Sequence, residues 1–144
     1  MNNFSPVAAE ERAFYARRLE AHGILPTEQR VEIARVMLAR PQHLSAEQVL
    51  ARVNAAGTRV SKATVYNTLN LFVAKGLLRE VIVCPERVFY DSTTEPHYHV
   101  YNVDTNELFD IPSGGLEFAR LPDLPAGTVQ DGVEVVLKVR TPRG

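Results

Sequence analysis

"SAEQVLARVNAAGTRVSKATVYNTLNLFVAKGLLREVIVCPERVFYD", residues Ser45–Asp91, decides the fold. Ser45 is followed three residues later by Gln48, the spacing of a capping box that satisfies backbone amides at a helix N-terminus. The helix started there runs to Gly57. Ser61 starts another, in which Val65, Leu69 and Phe72 share one face and Gly76 supplies the stop. Two strand-like runs follow, LLREVIV and RVFYD, joined by a turn at Cys84-Pro85-Glu86. Helix, helix, hairpin is the order of a winged helix-turn-helix.

Upstream, residues 7–22 are helix-rich and stop at Gly23, a natural C-cap. Pro26-Thr27 opens a further helix in which Ile33, Val36, Met37 and Arg40 follow helical spacing, the first three apolar. Downstream, HYHVYNV and NELFDI read as strands around the turn Asp104-Thr105-Asn106. Residues 113–121 (SGGLEFARL) read as a short helix, 122–132 as loop, and VEVVLKVR as a strand. The predicted fold class is α+β. A winged helix-turn-helix spans 1–91, a hinge 92–96, and a small α/β module 97–144, whose open strand edge calls for a dimer.

The chain has 144 residues, enough for one ordinary domain or two small ones. Its net charge of −1 lacks the overall basic excess of many nucleic-acid binders. The distribution is more informative. Residues 1–91 carry 12 Lys and Arg against 9 Asp and Glu, and residues 92–144 carry 4 against 8. The sign changes at the polar stretch Ser92–Pro96, as for a DNA-facing module joined to an acidic one. The N-terminal MNNFSPVAAEER lacks the basic and apolar regions of a signal peptide, and no apolar run is long enough for a membrane span. A cytoplasmic protein without a membrane partner is expected. A single cysteine, Cys84, excludes an intrachain disulfide framework and a multi-cysteine zinc site within one chain.

Two constellations carry chemistry. On the helix opened by Ser61, Lys62, Tyr66 and the hydroxyl and amide residues Ser61, Thr64, Asn67 and Asn70 lie mostly away from the apolar stripe. Lys and hydroxyls fix phosphates, and Tyr and Asn reach base edges or thymine methyls in the major groove. An ordinary solvated helix face has the same composition; the capped helix before it and the hairpin behind it favour DNA. The second constellation is His97-Tyr98-His99, holding two of the four histidines. On a strand, i and i+2 share a face, so the two imidazoles would stand side by side, with Asp91 and Asp110 at the ends of flanking strands. Nitrogen with carboxylate oxygen suits iron(II), manganese(II) or zinc, and the lack of thiolates removes the pull toward copper(I). By spacing alone, an incidental pair on a surface strand fits equally well.

Taken in order, "PTEQR" (Pro26–Arg30), "HLSAEQV" (His43–Val49), "SKATVYNTLNLF" (Ser61–Phe72), "VFYD" (Val88–Asp91) and "HYH" (His97–His99) resemble the ferric uptake regulator family along nearly the whole chain. The resemblance implies a dimeric, metal-dependent repressor. An N-terminal winged helix would read an AT-rich palindromic duplex and a C-terminal domain would dimerise. It implies no catalytic residues and one divalent metal per subunit, iron(II) or manganese(II), with zinc able to substitute in vitro. The implied ligands are His43, Asp91, His97, His99 and Asp110, and the implied DNA-binding residues are Arg30, Ser61, Lys62, Thr64, Tyr66 and Asn67.

Departures from the family pattern are also legible. Asn102 and Thr105 stand where a Cys-x-x-Cys usually begins a structural zinc site, so no cysteine zinc site is expected. Pro96 and Tyr98 flank His97 and erode a second histidine-rich site. Leu25 and Asn67 each replace a common Arg, which bears on the operator. Asp91 rather than Glu, together with Asp110, resembles the peroxide-regulator branch, in which bound iron(II) and peroxide oxidise a ligand; His43 and His97 would be the targets. The missing cysteines also resemble the haem-sensitive iron-response-regulator branch. Cys84-Pro85 superficially matches a haem-regulatory pair, although a wing turn accounts for it. Two histidines and a carboxylate also describe a non-haem iron enzyme, and a metal-storage protein is a third possibility. Neither would explain the winged helix.

Overall fold

Caps set the helices of the first half. The computed structural model describes residues 6–142. Helix α1 (Pro6–Ala21) ends at Gly23, whose φ of 72° lies in the left-handed region that favours glycine. The His22 ring Nδ1 lies 3.0 Å from the Arg18 carbonyl and closes the last turn. Thr27 caps α2 (Glu28–Leu38) by accepting from the Arg30 amide. Ser45 and Gln48 form the full capping box of α3 (Ala46–Ala55). Ser61 caps α4 (Lys62–Ala74) by accepting from the Thr64 amide.

The contacts divide the chain into two units, Met1–Thr94 and Glu95–Gly144. In the first, all four helices contribute to one apolar core through residues such as Leu19, Ile33, Met37, Val49, Val65 and Phe72. Val65, Leu69 and Phe72 are fully buried, as their spacing along α4 requires. Strands β1 (His43–Leu44), β2 (Arg79–Cys84) and β3 (Arg87–Asp91) form an antiparallel sheet in the order β1-β3-β2. Cys84 ends β2, and Pro85-Glu86 form the wing turn alone. The sequence gives no sign of β1. It puts His43 directly opposite Asp91 in the sheet register.

The second unit is a three-stranded sheet, β5-β4-β6. Strand β4 (His99–Asn102) pairs antiparallel with β5 (Glu107–Asp110) and parallel with β6 (Val136–Val139). The hairpin closes on an Asx turn, with Asn102 Oδ1 accepting from the amides of Asp104 and Thr105 at 2.9 and 3.2 Å. Asn106 takes a φ of 61° there, a value Asn tolerates better than most residues.

Two expectations are corrected in this unit. No helix forms over 113–121. Pro112 and Gly115 instead close a turn, with the Gly115 amide donating to the Pro112 carbonyl at 2.8 Å and Gly114 at a φ of 80°. Two adjacent glycines between Pro112 and Pro122 cost too much backbone entropy for a helix this short. His97 also precedes β4 rather than lying on it, so strand alternation is not what brings it beside His99.

Candidate metal centre and nucleic-acid interface

Each unit contributes a set of imidazole and carboxylate groups. In the first, the β1–β3 register places His43 Nε2 3.3 Å from Asp91 Oδ2. The other Asp91 oxygen accepts from the Thr93 amide at 2.8 Å, which fixes the orientation of the carboxylate. Asp91 is only 1% exposed, so its charge is removed from water. A buried carboxylate is tolerable only with hydrogen bonds and a cation to offset it. The Thr93 amide and the His43 imidazole are among its partners.

In the second unit, β4 and β5 set His99 opposite Asp110. Asp110 Oδ1 lies 3.4 Å from His99 Nε2 and 3.2 Å from His97 Nε2. The two rings are tilted at 58° with centroids 4.4 Å apart. His97 Nδ1 sits 2.7 Å from the Glu95 carbonyl, which can only accept. That nitrogen therefore carries the proton, and in the neutral ring the Nε2 lone pair faces the carboxylate. Lone pair against carboxylate is repulsive without a cation between them. A backbone carbonyl fixing Nδ1–H is the usual arrangement for an imidazole that ligates through Nε2. Ligand atoms of His97, His99 and Asp110 lie within 4.8 Å of one another. This is the donor chemistry that iron(II), manganese(II) and zinc accept.

The face of α4 is less open than its composition predicts. Ser61 Oγ caps the helix and donates to Thr64 Oγ1 at 2.9 Å, so both hydroxyls are already engaged. Asn70, grouped with the outward face by sequence, is exposed and also accepts from the Tyr90 hydroxyl of β3 at 3.0 Å. Burial first, and then the charge of Glu80, push the Tyr90 phenol up to about 12. Arg30 donates to the Leu25 carbonyl at 3.0 Å and braces the turn into α2. Asn67 is exposed. Lys62 and Tyr66 both engage Glu47 of α3. The Tyr66 hydroxyl donates to Glu47 Oε1 at 2.7 Å, and Lys62 Nζ lies 3.7 Å from the same oxygen. Lys62 Nζ also lies 5.8 Å from the centroid of the Tyr66 ring. Sequence reasoning missed Glu47, the one acid of α3, because nothing in the spacing of α3 shows that this side chain meets α4.

Comparison with known proteins gives one consistent picture. The model described as "Ferric uptake regulator family" matches residues 21–120. A "Peroxide operon regulator" of Bacillus subtilis (strain 168) is 27% identical over 111 residues, covering 77% of each chain. A "Ferric uptake regulation protein" of Synechococcus elongatus is 31% identical over 99 residues, covering 66% of this chain and 67% of that one. Among solved structures, a ferric uptake regulator from Pseudomonas aeruginosa with manganese superposes with a TM-score of 0.64 at 25% identity. That match covers 90% of this chain and 98% of the other.

Proposed function

The chain belongs to the ferric uptake regulator family, a family of dimeric, DNA-binding transcriptional regulators rather than enzymes, and on that premise we propose a metal-dependent repressor of peroxide-stress or iron-homeostasis genes. The reading assigns one divalent metal, iron(II) or manganese(II), to His43 and Asp91 of the first unit together with His97, His99 and Asp110 of the second. The observation that carries it is the pairing within each unit: all three imidazole Nε2 atoms lie 3.2–3.4 Å from a carboxylate oxygen. Two donors make an incomplete site and three leave coordination positions open, so the two sets complement each other. A metal bound this way couples the units. DNA affinity then follows the fraction of molecules in the coupled form.

The winged helix, with α4 as its reading element, is the part assigned to an AT-rich palindromic duplex. Homodimerisation is assigned to the second unit. Its exposed Phe109, Phe118, Leu124 and Leu137 offer apolar surface of the kind that marks interfaces, and Val129 is 89% exposed. Among the described residues, no helix is long and apolar enough to cross a membrane. A chromosomal partner assigns the working protein to the cytoplasm. As iron(II), the metal would supply the reduction of peroxide that oxidises a neighbouring imidazole, with His43 and His97 the assigned targets.

Titrating metal-stripped protein with iron(II), manganese(II) and zinc while following duplex binding, with and without peroxide, tests the reading. Metal-dependent binding that peroxide abolishes only for the iron-loaded form is the expected result. Duplex binding that ignores all three metals would overturn it.

A further inference from the structure

Glu47 forms a closed triangle with the two residues of α4 best suited to DNA. Its Oε1 accepts from the Tyr66 hydroxyl at 2.7 Å and lies 3.7 Å from Lys62 Nζ, while Lys62 lies over the Tyr66 ring. As the second residue of α3, Glu47 is also favoured by the partial positive charge at that helix N-terminus. The Tyr66 hydrogen bond and the nearby Lys62 charge hold its carboxyl below the usual range, so it is ionised at neutral pH. A permanent negative charge on a surface that must approach phosphates is costly unless it has a use.

We propose that Glu47 is a specificity-determining residue, a carboxylate that occupies Lys62 and orients Tyr66 so that α4 rejects generic duplex more strongly than its own operator. This rests on the reading of α4 as the DNA-facing helix. A phosphate of any sequence can be met by Lys62 only if the ammonium leaves Glu47 or carries the carboxylate toward the polyanion. Both penalise every sequence alike. At the correct sequence, the Tyr66 ring, held by its hydroxyl, makes its base contact without first losing rotamer freedom, and that gain offsets the penalty. The side chains of Glu47 and Lys62 are 59% and 62% exposed, so their pairing is weak enough for DNA to reorganise.

The test uses full-length, manganese-loaded protein. Its probes are the best duplex recovered by repeated selection from a random library and a scrambled duplex of the same composition. Glu47→Gln keeps an acceptor for Tyr66 and removes the charge. It should tighten scrambled-duplex binding by about fivefold per subunit, the upper end for an exposed ion pair. Because the penalty is common to every sequence and the Tyr66 bond is kept, it should tighten the selected duplex by a similar factor, and steepen the salt dependence on both by about 0.9 per freed lysine–phosphate contact. Glu47→Ala, which also frees the Tyr66 hydroxyl, should tighten the scrambled duplex alike but not the selected one, and so narrow the ratio between the two. Lys62→Ala serves as the reference. If Lys62→Ala weakens scrambled-duplex binding while Glu47→Gln changes neither affinity nor salt slope, the role of Glu47 is refuted and α4 still faces DNA. If Lys62→Ala has no effect on either duplex, the DNA-facing reading of α4 fails and the proposal falls with it.

Discussion

Asn102 gives the sharpest test of how the second unit holds together without thiolates. It stands where the family pattern begins a cysteine pair, and its Oδ1 instead accepts from the amides of Asp104 and Thr105. Two residues further on, Asp104 Oδ2 accepts from the Thr141 amide at 2.8 Å and ties the C-terminal segment to the hairpin. The Val103 amide donates to the Val139 carbonyl at 2.9 Å beside it. Hydrogen bonds thus organise the turn that a metal would otherwise organise. Asn102→Ala deletes two backbone-directed bonds, each contributing about 1 kcal/mol net, and water regains access to both amides. A loss of about 1–2 kcal/mol follows, which lowers the melting temperature of a small domain by roughly 5 °C or more. Asn102→Asp keeps the acceptor and should stay within about 0.5 kcal/mol of the parent. Thermal and urea unfolding should be followed on metal-stripped protein at one fixed protein concentration, because a dimer's apparent stability depends on it. Equal stability of the Ala and Asp variants would refute the idea that the Asx turn carries this load.

Replacing Asp91 by Ala should weaken metal binding and lower DNA affinity although α4 is untouched, the apparent dissociation constant rising by the inverse of the competent fraction. Isothermal titration with manganese(II) and anisotropy on the selected duplex would measure both, and unchanged DNA affinity with metal lost would separate the two. Brief peroxide exposure of iron-loaded protein should add one oxygen atom to His43 or His97, while manganese-loaded protein resists; peptide mass spectrometry decides, and unmodified histidines in fully iron-loaded protein would reject peroxide sensing. The Tyr90 phenol, ionising near 10 when unfolded and about 12 when folded, keeps its proton longer in the native state. Stability should therefore fall as pH rises through that window, and Tyr90→Phe should flatten this alkaline limb while costing about 1 kcal/mol at neutral pH for the lost Asn70 bond.

The helices were legible because their signals are local. Thr27, Ser45 with Gln48, and Ser61 all cap as side-chain chemistry dictates, and the 3.6-residue period put Val65, Leu69 and Phe72 in the core. Strand β1 was invisible because two residues carry no period, and its existence depends on pairing with β3 some 47 positions away. His97 was placed on a strand by alternation, yet the strand starts at His99 and a bond to the Glu95 carbonyl orients the ring instead. The helix expected over 113–121 (SGGLEFARL) contains Gly114 and Gly115, whose backbone freedom favours the turn that forms there instead. The role of Glu47 could not be read at all, since whether this lone acid of α3 meets α4 depends on how the helices pack.

The first unit contains a short physical route from proposed ligand to proposed reading helix. Tyr90 and Asp91 are consecutive on β3, so their side chains leave opposite faces of the sheet. On one side Asp91 faces His43; on the other the Tyr90 hydroxyl donates to Asn70 of α4. Both residues are almost fully buried, so neither can shift without the strand shifting too. A cation drawn to Asp91 acts on the same strand that holds α4 by a side-chain bond, and β1 carries His43 in register alongside. Loss of that cation removes a positive charge from beside a buried carboxylate that the Thr93 amide and the His43 imidazole also contact. Such a strand is least well held when the metal is absent, which is the condition under which a metal-dependent repressor must release DNA.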